Sequence, residues 1–236
     1  MSSPLASAPG TSDALPTVAR DFLPYIAPMF AYVALSSLEG YLPSPSWYPA
    51  AYAVKAAVVA ALMWRYRGTW QDFRPRPKIL DLLLAVVTGL VVIALWVGLD
   101  GLYPDLPFMG GARQAFDPSV LGTGGKWAFI AVRMIGLVVL VPVFEELFWR
   151  SFLIRFVIDQ DFWKVPIGRV TWFSAAVVSA LFALAHPEWL PALLTGLLWA
   201  WLLWQTKSVA TCAVSHVVAN LALGIYVIAT GEWKFW

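Results

Sequence analysis

Apolar residues run for the length of a membrane span at 22–38, 48–66, 79–99, 127–158, 171–186, 189–206 and 208–230, and polar residues collect between these runs. A helix needs about 20 apolar residues to cross the ~30 Å hydrocarbon layer. The pattern therefore predicts an all-α, polytopic transmembrane helical bundle with about seven to eight membrane helices. The fourth run is long enough for one tilted helix or for one and a half. No run repeats another, so a transporter built from duplicated halves gains no support. Residues 1–20 are rich in Ala, Ser and Pro and lack the basic start and apolar stretch of a secretory signal. They read as a disordered cytoplasmic tail, and residues 21–236 as a single integral-membrane domain.

Composition sharpens this picture. The 236 residues are 60% hydrophobic and 13% charged, far from the roughly 25% charged residues of a soluble domain, and a second soluble domain does not fit. The net charge of +2 and the lack of a long basic run exclude nucleic acid as the expected partner and leave membrane lipid. A single cysteine, Cys212, rules out an intrachain disulfide framework or a multi-cysteine metal site and reads as a small packing residue. Arg65, Arg67, Arg74, Arg76 and Lys78 crowd the segment between the second and third runs against one acid. The positive-inside rule assigns that segment, and with it the amino terminus, to the cytoplasm. Alternation then puts 100–126 outside and 159–169 inside. Trp47, Trp64, Trp127, Trp163, Trp172 and Trp233 fall near predicted helix ends, as interfacial belts do, while Trp199, Trp201 and Trp204 read as packing or lipid-facing.

Against this apolar background the stretch VPVFEELFWRSF, 141–152, stands out. A charge at the bilayer centre costs about 2.5–3.5 kcal/mol on insertion scales, so such residues face a bundle interior and mark function by default. Glu146 and Arg150 are four apart, on one helix face, where an ion pair is natural and could be purely structural. Glu145 points about 100° away and has no local cation. Pro142 frees a carbonyl and can kink the helix at this level. The chain holds two histidines and one asparagine, and all three also lie in apolar runs: His186 before Pro187, and His216 and Asn220 at i, i+4 in the last run. Counted at 1.5 Å per residue from the turns on one predicted side, Glu145 lies about 21 Å deep, His186 about 22 Å, and His216 and Asn220 about 14 and 20 Å. All fall in one slab.

A carboxylate, two imidazoles and a carboxamide around one cavity suit activation of water. The glutamate takes a proton, a histidine positions the water, and His216 with Asn220 donates to a developing oxyanion. No serine or cysteine sits in a nucleophile motif, so a covalent intermediate is not supported. Zinc stays open as a lesser alternative to having no cofactor, since Glu and His ligate it, but the HExxH helix is absent. Two other classes stay open. A non-proteolytic membrane scaffold, immunity or sorting-system protein would keep the polar residues for structure, and a proton-coupled transporter would use the carboxylates as a relay.

EELFWR matches EExxxR, FALAH at 182–186 matches FxxxH, and HVVAN at 216–220 matches HxxxN, in the order found in the CAAX protease and bacteriocin-processing family. The chain resembles these intramembrane glutamic endopeptidases, relatives of the Ras-converting CAAX endopeptidase, between 142 and 220, with no departure in a motif residue. The resemblance implies an integral-membrane endopeptidase acting on a membrane-anchored peptide or lipidated-protein substrate. It implies Glu145 as general base, Glu146 supporting the site and paired with Arg150, and His186 binding the water. His216 and Asn220 would form the oxyanion hole, and Phe182 would line the cavity. SLEGYLP and the first three helices are similar to a bacterial branch associated with exosortase sorting systems. That similarity implies the bacterial inner membrane and sorting-system membrane proteins as partners.

Overall fold

The structure is a computed structural model that describes residues 17–104, 106 and 115–236. Most of the predicted tail lies outside the described residues, and helix α1 (Thr17–Glu39) already opens within its last residues. Helices α2 (Tyr48–Arg65) and α3 (Ile79–Gly98) follow. The fourth run forms one continuous helix, α4, over 122–158, in which two π-helical turns, Gly136–Leu140 and Leu147–Leu153, interrupt the α register. Helices α5 (Trp172–Leu184), α6 (Trp189–Thr206) and α7 (Val209–Thr230) complete the bundle. No strand occurs among the described residues.

The helix ends follow from local chemistry. Thr171 caps α5, its hydroxyl accepting from Ser174 N–H while Ser174 Oγ accepts from Thr171 N–H. Ser208 caps α7 through Thr211 N–H. Between them Lys207 closes α6 in the left-handed conformation, φ 54°. The α6–α7 connection is accordingly tight.

Four stretches, Phe22–Glu39, Ile79–Gly98, Pro118–Ile158 and Val209–Thr230, are long and apolar enough to cross a membrane, and α5 is a shorter apolar helix. The expected seven to eight spans exceed this number because α2 and α6 carry polar and aromatic groups. Several of those turn inward: Lys55 of α2 and Trp199 of α6 are buried in the bundle. The outer faces are apolar, with Phe30, Leu80, Val87 and Ile225 exposed as lipid-facing side chains are.

Polar contacts define two ends. At one, Asp72 in the turn after α2 accepts from Tyr25 of α1 at 2.8 Å and from Arg155 of α4 at 3.1 Å. The α6–α7 turn joins the same end through α4's following loop and α5, where Lys207 Nζ donates to the Gly168 carbonyl at 3.0 Å. At the other, Trp189 Nε1 donates to the Pro104 carbonyl at 2.9 Å and Lys234 pairs with Asp100. Small residues let the helices meet between these ends. A Cβ at Gly89 of α3 would lie 2.5 Å from the Ser215 carbonyl oxygen of α7, and one at Gly136 of α4 would lie 2.0 Å from the Tyr52 hydroxyl of α2.

Candidate active site

The first π turn of α4 prepares the site. Val141 N–H bonds the Gly136 carbonyl five residues back. In that register the Leu137 carbonyl would take the N–H of residue 142, which is a proline and has none. Asn220 supplies the missing donor from α7, its Nδ2 lying 2.8 Å from the Leu137 oxygen. One amide hydrogen is thus used to tie α7 to α4. The second hydrogen on the same nitrogen is not needed for that bond.

A cavity of about 140 Å³ opens beside this contact, and Glu145, Phe182, His186, His216 and Asn220 all line it. Glu145 is its one acidic side chain among the described residues. The residue is 6% exposed, forms no ion pair among the described residues, and its buried Oε2 has no hydrogen-bond partner. Glu146 and Arg150, the other expected site residues, do not line the cavity but lie behind it. Glu146 is fully buried, with Oε1 3.0 Å from His216 Nδ1 and Oε2 3.5 Å from Arg150 Nε. The Arg150 contact is an ion pair without a hydrogen bond, and the rings of Phe182 and Trp199, at 5.4 and 5.6 Å, take the faces of the guanidinium.

Both histidines are held in defined orientations. His186 Nδ1 lies 2.8 Å from the Phe182 carbonyl, which can only accept, so this nitrogen carries the proton and Nε2 is the acceptor of the neutral ring. Phe182, 4.5 Å from the ring centre, and Trp96, at 5.8 Å, flank the imidazole. His216 lies against Trp199 at 4.3 Å, and its Nδ1 donates to Glu146. Its Nε2 therefore accepts in the neutral ring and donates only when both nitrogens are protonated, the state in which ring and carboxylate form an ion pair.

Sequence reasoning passed over three residues of this wall, Trp96, Trp199 and Arg133. Trp96 and Trp199 orient the histidines, and Trp199 had been read as a packing or lipid-facing residue. Arg133 also lines the cavity, its guanidinium 4.5 Å from the ring centre of Tyr52 behind it. Arg133 lies in the same apolar run as Glu145, and the cost of an intramembrane charge was the signal that could have found it. Cys212 is buried, with Sγ 3.6 Å from the Trp199 carbonyl, as a packing residue would be. Among the described residues no group of three or more His, Cys, Asp or Glu side chains is placed so as to hold a metal ion.

Residues 127–222 match the sequence model of the family described as type II CAAX prenyl endopeptidase Rce1-like. No curated protein and no solved structure matches the chain. The matched stretch contains Glu145, Glu146, Arg150, Phe182, His186, His216 and Asn220, and it singles out no bacterial branch. Through this stretch, which runs from α4 into α7 and takes in less than half of the chain, the protein is similar to the Rce1-like CAAX prenyl endopeptidases.

Proposed function

We propose that the protein is an intramembrane endopeptidase that hydrolyses a peptide bond of a membrane-associated substrate with a water activated by Glu145. One observation carries the reading: a buried carboxylate with an unpartnered oxygen faces a cavity that also holds both histidines and the asparagine. A carboxylate kept for structure would be expected to share its oxygens with a neighbour, as Glu146 does.

In this mechanism Glu145 takes a proton from water while His186 Nε2 accepts the other water hydrogen and fixes its position. The water oxygen attacks the scissile carbonyl. His216, doubly protonated, and the second amide hydrogen of Asn220 donate to the oxyanion. Glu145 returns the proton to the departing amine as the C–N bond breaks. A positioned general base contributes about 10²–10⁴-fold and one oxyanion donor about 10²–10³-fold. Among the described residues no serine, threonine or cysteine lines the cavity, which favours direct attack by water over an acyl-enzyme. The end of the bundle bearing Arg65, Arg67, Arg74 and Arg76 would face the cytoplasm, by the positive-inside rule.

The test is a comparison of free peptide termini, by mass spectrometry of membrane fractions, between cells producing the wild type and cells producing Glu145→Gln. A small set of new termini present only with the wild type is expected. Identical termini in the two samples would favour a non-proteolytic scaffold.

A further inference from the structure

The segment between α2 and α3 takes no part in the proposed hydrolysis. It carries Arg65, Arg67, Arg74, Arg76 and Lys78, all five exposed, and none of them forms an ion pair among the described residues. Asp72, the one acid of the segment, does not neutralise them: it is buried and accepts from Tyr25 of α1 and from Ser151 and Arg155 of α4. The same bonds fix the frame that bears the charges. Thr69 is buried with its hydroxyl donating to the Tyr66 carbonyl at 3.0 Å, and a short 3-10 helix, Arg67–Phe73, runs between Arg65 and Arg74. Cations on an anchored frame lose little freedom when they bind. Bulky apolar side chains stand beside them. Trp64 and Trp70 are 64% and 38% exposed and meet edge to face at 6.3 Å, and Ile79 and Leu80, which open α3, are 71% and 73% exposed. Arg67 lies over the Trp64 ring at 5.1 Å, which joins the charged part of the surface to the apolar part.

We propose that the α2–α3 segment is a binding site for anionic phospholipid, with its cations on the headgroup phosphate and Trp64, Trp70, Ile79 and Leu80 against the acyl chains. Four of the five cations are arginines, whose planar fork takes two phosphate oxygens at once. Exposed tryptophan beside basic residues suits the boundary between acyl chains and headgroups, and the cytoplasmic leaflet, which this end would face, is the one whose anionic lipids attract such clusters. An acidic soluble protein would satisfy the cations but leave the adjoining apolar side chains uncovered, whereas a lipid covers both. Because Asp72 ties the segment to Ser151 and Arg155, the bound lipid would rest on the same end of the bundle as the close of α4. The proposal does not depend on the hydrolytic reading.

The test uses the full chain in a neutral detergent, incubated with an equimolar mixture of phosphatidylglycerol and phosphatidylcholine of identical acyl chains, and native mass spectrometry counts the lipid retained. Phosphatidylglycerol is expected about tenfold or more above phosphatidylcholine at low salt, since each basic residue near a headgroup is worth about fivefold. The preference should fall steeply at about 1 M salt, where the screening length shrinks to ~3 Å. Replacing Arg74, Arg76 and Lys78 together by Gln should bring the two lipids to within about twofold of each other. Lys164→Gln with Arg169→Gln, which removes two exposed cations from the 159–169 loop at the same end, should leave the preference in place. Equal retention of both lipids by the wild type overturns the proposal without need of any variant. So does a preference that survives the triple replacement, or one that the Lys164 and Arg169 pair abolishes equally, which would show a diffuse attraction to that whole end. Displacement of the lipid by about 1 mM glycerol phosphate, which has the phosphate but no acyl chains, also overturns it and assigns the cations to a soluble anion.

Discussion

Glu146 engages His216 Nδ1 with one oxygen, at 3.0 Å, and Arg150 Nε with the other, at 3.5 Å, while Oε2 of its neighbour Glu145 has no partner. Substitution should separate the two residues. Glu146→Gln strands the buried Arg150 cation and is expected to destabilise the protein by about 3–5 kcal/mol, the cost of breaking a buried pair from one side. Glu145→Gln removes a poorly compensated charge and should leave stability unchanged or slightly raised. Chemical unfolding in detergent measures both, and equal losses would contradict this division of labour. The motif residues were legible in the sequence because each is a costly polar group in an apolar run. Arg133 is as costly in the same run, but what it packs against was not legible, because the Tyr52 ring is on α2, 81 positions away in the chain.

The π turn over Gly136–Leu140 ties an element to the site. Gly136 admits the Tyr52 hydroxyl, Pro142 withholds a hydrogen-bond donor, and Asn220 fills the resulting deficit at Leu137. Asn220→Ala should cost about 1–3 kcal/mol, because it leaves a buried carbonyl unpaired. Adding Pro142→Ala restores an N–H to that carbonyl and should recover most of the stability without recovering turnover, since the cavity still lacks the amide. A double-mutant cycle on unfolding and peptide cleavage reads this directly, and strictly additive stabilities would argue against the shared carbonyl. The sequence foresaw a disturbance at Pro142 as a kink. A change of register was out of reach, because it depends on a glycine meeting a tyrosine of another helix. Helix limits were far more legible, since apolar runs end where caps and loops begin, and α6 occupies the predicted 189–206.

At the scale of the whole molecule, the cavity exists because α3, α4, α5 and α7 approach closely around polar side chains. Gly89 sets one such approach. Gly89→Ala places a methyl group 2.5 Å from the Ser215 carbonyl oxygen, one turn before Asn220 and next to His216, and should destabilise the bundle by about 1–3 kcal/mol as overpacking does. Gly98→Ala on the same helix meets nothing within 4 Å and is the matched control, expected to stay within about 0.5 kcal/mol of wild type. Thermal unfolding of the two variants separates them, and equal midpoints would contradict the close α3–α7 contact. The number of spans was the least legible feature at this scale. Length and hydropathy treat an inward Lys55 or Trp199 as evidence against a membrane helix, although bundle interiors are where such groups belong. The central claim is that Glu145 activates water. Its most direct test is the turnover of purified wild type and Glu145→Gln on a peptide identified from the wild-type-only termini. The account predicts a loss of about 10²–10⁴-fold with an unchanged unfolding midpoint, and a Glu145→Gln enzyme within twofold of wild type would contradict it.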